Sequence, residues 1–241
     1  MFYKTEGIVL HGLKYGDTGR IVTVYTEAFG RCTFLLQGIH SKKSTGKANL
    51  LQPLFLLEME VDHRQGRELQ RAREIRIKYP YQAVPYDITK SSQAIFIAEL
   101  LYKVLREEES RTELYLFLSH SFQMLDLVEQ GTANFHLLFL VQLTKFMGFA
   151  PTPNWDEDRQ FFDMASGIFV GNRPPHPNYL EPADGKTLAA FVGASYEDIG
   201  DISLTSVQRN KFLVNMIDYF SLHLGIRLQL KSLDVLHEMF S

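Results

Sequence analysis

The hydrophobic period of this chain changes once, near Tyr79-Pro80, and that change constrains the fold more than any single motif. Before it, apolar residues come in short β-branched and aromatic runs: GIVLHGL (7–13), RIVTVYTE (20–27) and RCTFLLQG (31–38). Gly16, Gly19, Gly30 and Gly38 punctuate them. In LEMEVD, Leu57, Met59 and Val61 alternate with Glu58, Glu60 and Asp62, the period of a half-exposed strand. A turn around Gly66 leads to a fifth extended segment, LQRAREIRIK (69–78). Five short strands at close spacing predict a small barrel, with the OB-fold as the expected architecture.

After Tyr79-Pro80 the period is helical. Ile97, Leu100, Leu101, Val104 and Leu105 make one apolar stripe. Ser110-Arg-Thr-Glu113 fits a capping box before a second stripe of Leu114, Phe117, Leu118, Phe122 and Leu125. FHLLFLVQLTKFMGF (135–149) is apolar nearly all round and reads as a central helix ended by Gly148. Thr205-Ser-Val-Gln208 is another capping box, opening a helix that Gly225 stops, and SLDVLHEMF closes the chain. Residues 150–183 are rich in Pro, Asn and Asp, with FFDMASGIFV as a hairpin turning at Ser166-Gly167. The expected fold class is therefore α+β in two domains. An N-terminal OB-fold β-barrel spans 1–80, and an α-helical bundle domain spans 81–241 with an irregular hairpin insert at 150–183.

Of the 241 residues, 45% are hydrophobic and 22% charged, enough to bury a core. No run of about 18 uncharged apolar residues exists to span a membrane. The opening MFYKTEG lacks the basic start and apolar run of a signal peptide, so a cytoplasmic location is expected. A single cysteine, Cys32, closes no internal disulfide and builds no four-Cys zinc cage. GLKYGDTG (12–19) fits neither phosphate-binding glycine pattern, and neither G-x-S-x-G nor H-E-x-x-H occurs. Nothing assembles a nucleophile, a base and an orienter, which favours a binding protein over an enzyme.

Charge is unevenly distributed. Residues 1–80 hold 13 Lys and Arg against 8 Asp and Glu, and residues 81–241 hold 12 against 20. Basic residues on a barrel suit the phosphates of a nucleic-acid strand, with aromatic rings to stack on bases. The expected cations are Arg20, Arg31, Lys42, Lys43, Lys47, Arg64, Arg67, Arg71 and Arg73, joined by His40. Arg71 and Arg73 fall on one face of an extended segment. Tyr15 and Tyr25 are candidate stacking residues.

The same residues carry a resemblance. Tyr15-Gly16-Asp17, Ile21-Val22, Thr26 and Gly30 match an opening run of the RecO family of bacterial recombination-mediator and DNA-repair proteins. Gly38, His40, Lys43, Ser44 and Leu51-Gln52-Pro53 match its basic loop and the LQP that follows. Gly148-Phe-Ala-Pro151 matches its GF-x-P, and HLGIRLQLKSLDVL (223–236) resembles its C-terminal segment. The resemblance implies an OB-fold followed by a helical domain. It also implies a non-catalytic role: binding single- and double-stranded DNA, annealing complementary strands and, with RecR, helping RecA load on DNA coated by single-strand-binding protein. The implied setting is the cytoplasm, associated with the nucleoid. Some relatives bind the C-terminal tail of single-strand-binding protein. Such an acidic tail with an apolar end needs an apolar groove flanked by cations, here Arg106, Arg111, Arg209, Lys211 or Arg227. Many relatives carry a four-Cys zinc module after GF-x-P. The corresponding insert here has no cysteine, so no cofactor is expected. The alternative is a protein-interaction adaptor whose OB-fold has lost nucleic-acid binding.

Overall fold

The computed structural model describes residues 2–17, 19–37, 50–106 and 109–239. The chain folds as two compact units, residues 1–127 and 128–241. The first unit is built on five strands: β1 (Phe2–Tyr15), β2 (Gly19–Thr26), β3 (Gly30–Leu36), β4 (Leu56–Asp62) and β5 (Gln70–Ile77). They close in the order β1-β2-β3-β5-β4. All pairs are antiparallel except β3 with β5, where Phe34 opposes Gln70 and Leu35 opposes Arg71. This is the OB-type barrel expected from the turn spacing, and closure leaves no free sheet edge.

Alternation along β3 shows how the barrel is filled. Cys32, Phe34 and Leu36 are buried, whereas Arg31, Thr33 and Leu35 are half-exposed. Val22 and Val24 of β2 and Leu57, Met59 and Val61 of β4 complete the interior. Where β1 runs between β2 and β4, only glycine fits at position 7. A Cβ on Gly7 would lie 2.5 Å from Val24 Cγ1 and 3.2 Å from Met59 Sδ.

Helices α1 (Ile88–Val104) and α2 (Thr112–Leu127) belong to the same unit. Asp87 caps α1, its Oδ1 accepting from the amides of Thr89 (2.8 Å) and Lys90 (3.1 Å). The expected cap at Ser110 is not formed. Its hydroxyl donates instead to the Glu27 carbonyl of the barrel (2.5 Å). The buried Tyr115 hydroxyl donates to Glu6 of β1 (3.1 Å), and Lys78 Nζ pairs with the same carboxylate. Asp126, at the end of α2, gathers the segment that leaves the barrel: its carboxylate accepts from the amides of Gln82, Ala83 and Val84. Lys90 Nζ, itself buried, donates to the Asp126 carbonyl (2.7 Å). These bonds satisfy polar groups that burial would otherwise strand.

The second unit centres on α3 (Phe135–Met147), whose Leu137, Leu138, Phe139, Leu140 and Leu143 are fully buried. It packs with α4 (Pro182–Val192) and α5 (Ser206–Leu224), and α6 (Ser232–Met239) follows. Gly148 and Gly225 end α3 and α5 in the left-handed region, at φ 84° and 62°. The box at Thr205 is complete: Thr205 Oγ1 accepts from the Gln208 amide and Gln208 Oε1 from the Thr205 amide. The insert forms a three-stranded sheet in the order β7-β6-β8, from β6 (Phe161–Asp163), β7 (Ile168–Val170) and β8 (Tyr179–Leu180). No described helix is long and apolar enough to cross a membrane.

Candidate nucleic-acid interface

The barrel's strand register sets out its surface in rows. One row runs Leu13–Ile21–Leu35–Arg71 across β1, β2, β3 and β5. Leu13 is 55% exposed and Arg71 is exposed, with Ile21 and Leu35 half-exposed between them. Tyr15, 54% exposed, stands two residues further along β1 where the β1–β2 hairpin turns. The next row is His11–Thr23–Thr33, the two hydroxyls 3.4 Å apart. The first row offers an apolar strip bounded by the Tyr15 ring at one end and the Arg71 guanidinium at the other, with a polar row beside it.

The third row is closed. Tyr25 and Arg31 oppose each other across β2 and β3. Arg31 Nη1 donates to the carbonyls of Tyr102 and Leu105, both at 2.8 Å, and its guanidinium lies 4.5 Å from the Tyr102 ring centroid. The His11 ring packs on Tyr102 as well, at 4.6 Å. The end of α1 therefore covers this part of the barrel. Tyr25 is only 2% exposed, which corrects its assignment as a stacking residue: no face of its ring is open to a base.

The remaining cations divide into engaged and available. Arg64 pairs with Asp62 (3.4 Å), Arg76 with Glu74 (3.2 Å) and Lys78 with Glu6. Among the described residues Arg20, Arg67, Arg71 and Arg73 form no ion pair. Arg20 sits opposite Lys14 and Leu36, its Nε buried and without a hydrogen bond among the described residues. The strict alternation expected of β5 fails at Arg73. Val61 opposes Ala72 and Glu60 opposes Glu74, so Arg73 is the extra residue of a bulge. Its guanidinium lies 5.5 Å from the centroid of Phe2, a ring 49% exposed that sequence reasoning passed over.

His40, Lys42, Lys43 and Lys47 lie outside the described residues. The residues that flank their loop are described. Gln37 and Leu50 line one cleft with Leu36, Ala72, Arg73 and Ile75, so the chain leaves and re-enters the barrel beside Arg73.

Two features were not legible one residue at a time. The β4–β5 turn is tied down by Gln70, which is buried: Nε2 donates to the carbonyls of Arg64 (2.9 Å) and Arg67 (2.6 Å), and Oε1 accepts from the Arg64 amide. That turn lays His63 flat on Phe29, 4.1 Å apart and 7° from parallel, with Tyr3 edge-on to Phe29 at 5.5 Å. The opposite side of the barrel is acidic. Glu6, Glu27, Glu58, Glu60 and Glu74 surround a groove of about 460 Å3 that also holds Lys4 and Arg76. Phosphates are repelled there, so the barrel is electrically two-sided.

The five cations expected to flank a partner's tail are shared between the units, Arg106 and Arg111 in the first and Arg209, Lys211 and Arg227 in the second. Arg209 is used internally, which corrects its assignment: Nε donates to Asn134 Oδ1 and an Nη to the Leu204 carbonyl, both at 3.1 Å. Burial pulls its pKa below the usual guanidinium value. Lys211 pairs with Asp184 at 2.7 Å, and Arg227 is exposed.

Residues 1–81 match the family profile described as "Recombination protein O N terminal", and residues 85–234 match "Recombination protein O C terminal". Curated relatives cover the chain from end to end. A DNA repair protein RecO of Phocaeicola vulgatus is 42% identical over 241 residues, spanning all of both chains. One of Bacteroides fragilis is 41% identical over the same span, and one of Porphyromonas gingivalis 31% over 250 residues, again all of both chains.

Proposed function

From the premise that this chain belongs to the RecO family of DNA repair proteins, we propose that its barrel binds DNA strands along the Tyr15–Leu13–Ile21–Leu35–Arg71 strip, flanked by Arg20 and Arg73, with Lys42, Lys43 and Lys47 adding phosphate contacts. The observation that carries this is the two-sided barrel, with unpaired guanidiniums and an exposed tyrosine over β1–β2–β3–β5 and a glutamate-lined groove over β4. Cations that neutralise phosphates contribute affinity without reading sequence, and the exposed ring supplies stacking that every base satisfies.

Such contacts suit strand annealing. The step makes and breaks no covalent bond. It requires two polyanions to approach, and a positive surface lowers their repulsion. The family resemblance extends this to double-stranded DNA, to RecR, and to the loading of RecA on strands covered by single-strand-binding protein. For that protein's tail, Arg227 is the exposed candidate in the second unit that forms no ion pair among the described residues. The acidic groove favours a second reading, an adaptor that engages proteins and leaves DNA alone.

The anisotropy of a labelled single strand over a salt series separates the two. Changing Lys42, Lys43 and Lys47 together to Gln should flatten the log–log salt slope by roughly 2, at about 0.7 per phosphate contact. An unchanged slope removes the loop from the interface, and absence of any salt-dependent binding by the wild type leaves the adaptor.

A further inference from the structure

Between β3, the β4–β5 turn and the end of α1 lies a cleft of about 80 Å3, lined by Arg31, Thr33, His63, Arg67, Glu68 and Arg106. Three arginines line it from three distant parts of the sequence. None of them forms an ion pair among the described residues. Arg31 is immobilised by its two carbonyl acceptors and Tyr102. Arg67 stands on a turn that Gln70 grips through the Arg67 carbonyl, and His63 is held flat against Phe29. Arg31, His63 and the backbone of Arg67 are thus set before any ligand arrives.

Among the described lining residues, three guanidiniums against the single carboxylate of Glu68 leave two positive charges when His63 is neutral. Like charges gathered in one small cleft repel, and an anion relieves that repulsion. At about 15 Å3 per water, the space takes roughly five water-sized groups, close to the four oxygens of one phosphate. A phosphate monoester carries close to two negative charges at pH 7, whereas each phosphate within a strand carries one. We propose that this cleft seats a phosphomonoester, the phosphorylated end of a DNA strand. Arg67 and Arg106 would clamp its oxygens while the strand runs onto the barrel, with Arg31, held on its two carbonyls, adding positive charge beside them. The inference rests on the DNA-binding function proposed above and adds an end-anchoring point to it.

The test compares oligonucleotides of one sequence carrying a 5′-phosphate, a 3′-phosphate or only hydroxyl ends, bound to the wild-type protein and to Arg67→Gln, Arg106→Gln and Glu68→Gln. One phosphorylated end should bind about tenfold more tightly than the hydroxyl-ended strand, as a set of charge-assisted hydrogen bonds provides. That ratio should collapse toward one in Arg67→Gln and Arg106→Gln and increase in Glu68→Gln. A wild-type ratio of one overturns the proposal. Equal weakening of all three strands by the Arg variants overturns it too, assigning the cleft to internal phosphates. If even the hydroxyl-ended strand fails to bind, the DNA-binding proposal has failed. The cleft is then judged by inorganic phosphate alone, which should raise the melting temperature of the wild type but not of Arg67→Gln at matched ionic strength; no rise refutes the seat.

Discussion

The two units treat their cations differently. In the first, Arg67, Arg71 and Arg73 stand on strand and turn positions with no carboxylate partner among the described residues. In the second, Arg209 satisfies Asn134 and the Leu204 carbonyl, and Lys211 answers Asp184. A count of Lys and Arg ranks these residues alike. What separates them is whether folding has already used the charge, and only an unused charge is available to a polyanion.

Acid should widen the contrast most. His136 of α3 is fully buried, and burial, with Arg209 and His237 nearby, holds its pKa down at about 3. The unfolded chain takes up a proton near pH 6.5 that the folded unit refuses. Its contribution is therefore complete above pH 6.5 and falls away progressively from there toward pH 3. Trp155, the sole tryptophan, lies in this unit. Its fluorescence should report a melting temperature that drops across that window, and His136→Phe should drop less steeply. Parallel profiles for the two proteins would show that His136 does not govern the acid response.

Arg209→Met should destabilise the second unit by about 1–3 kcal/mol, because two polar partners lose their donor. Arg71→Gln, an exposed change, should stay within about 0.5 kcal/mol. Urea melts of both decide it: equal losses would erase the distinction between used and unused cations. Tyr15→Ala should weaken single-strand binding by about 1–3 kcal/mol, with stability unaltered, since the ring stands in solvent. Tyr25→Phe should leave DNA affinity at the wild-type value, because that ring is enclosed. Lost affinity in Tyr25→Phe would reopen the third row of the barrel. The smallest effect is expected from Lys211→Gln, at most about 1 kcal/mol for a partly exposed pair.

Local signals were legible in the sequence. The capping box at Thr205, the glycine stops at 148 and 225, and the strand-to-helix change near Tyr79 depend on neighbours within a few residues. Helix α4 is hidden by Gly185, a poor helix former, although Pro182 stands in its first turn, where proline suits a helix start. Gly185 is there for packing: a Cβ would meet the Gln160 carbonyl oxygen at 2.4 Å. Tyr25 was misassigned because alternation says only which way a side chain points from a strand, not that the end of α1 lies over it. Arg73 was misplaced by a bulge, which no period reveals. Arg106 read as a bundle cation, whereas contacts between residues more than seventy apart bring the end of α1 to Arg31. The pairing of Phe29 with His63 is equally long-range.

The central claim is that unpaired barrel guanidiniums, and not net charge, hold the DNA. It is tested most directly by the salt dependence of single-strand affinity in Arg71→Gln/Arg73→Gln beside Lys211→Gln/Arg227→Gln, two variants with the same loss of charge. The first pair should flatten the log–log slope by roughly 1.4, at about 0.7 per contact, and the second should leave it at the wild-type value. Equal flattening by both pairs would contradict the account.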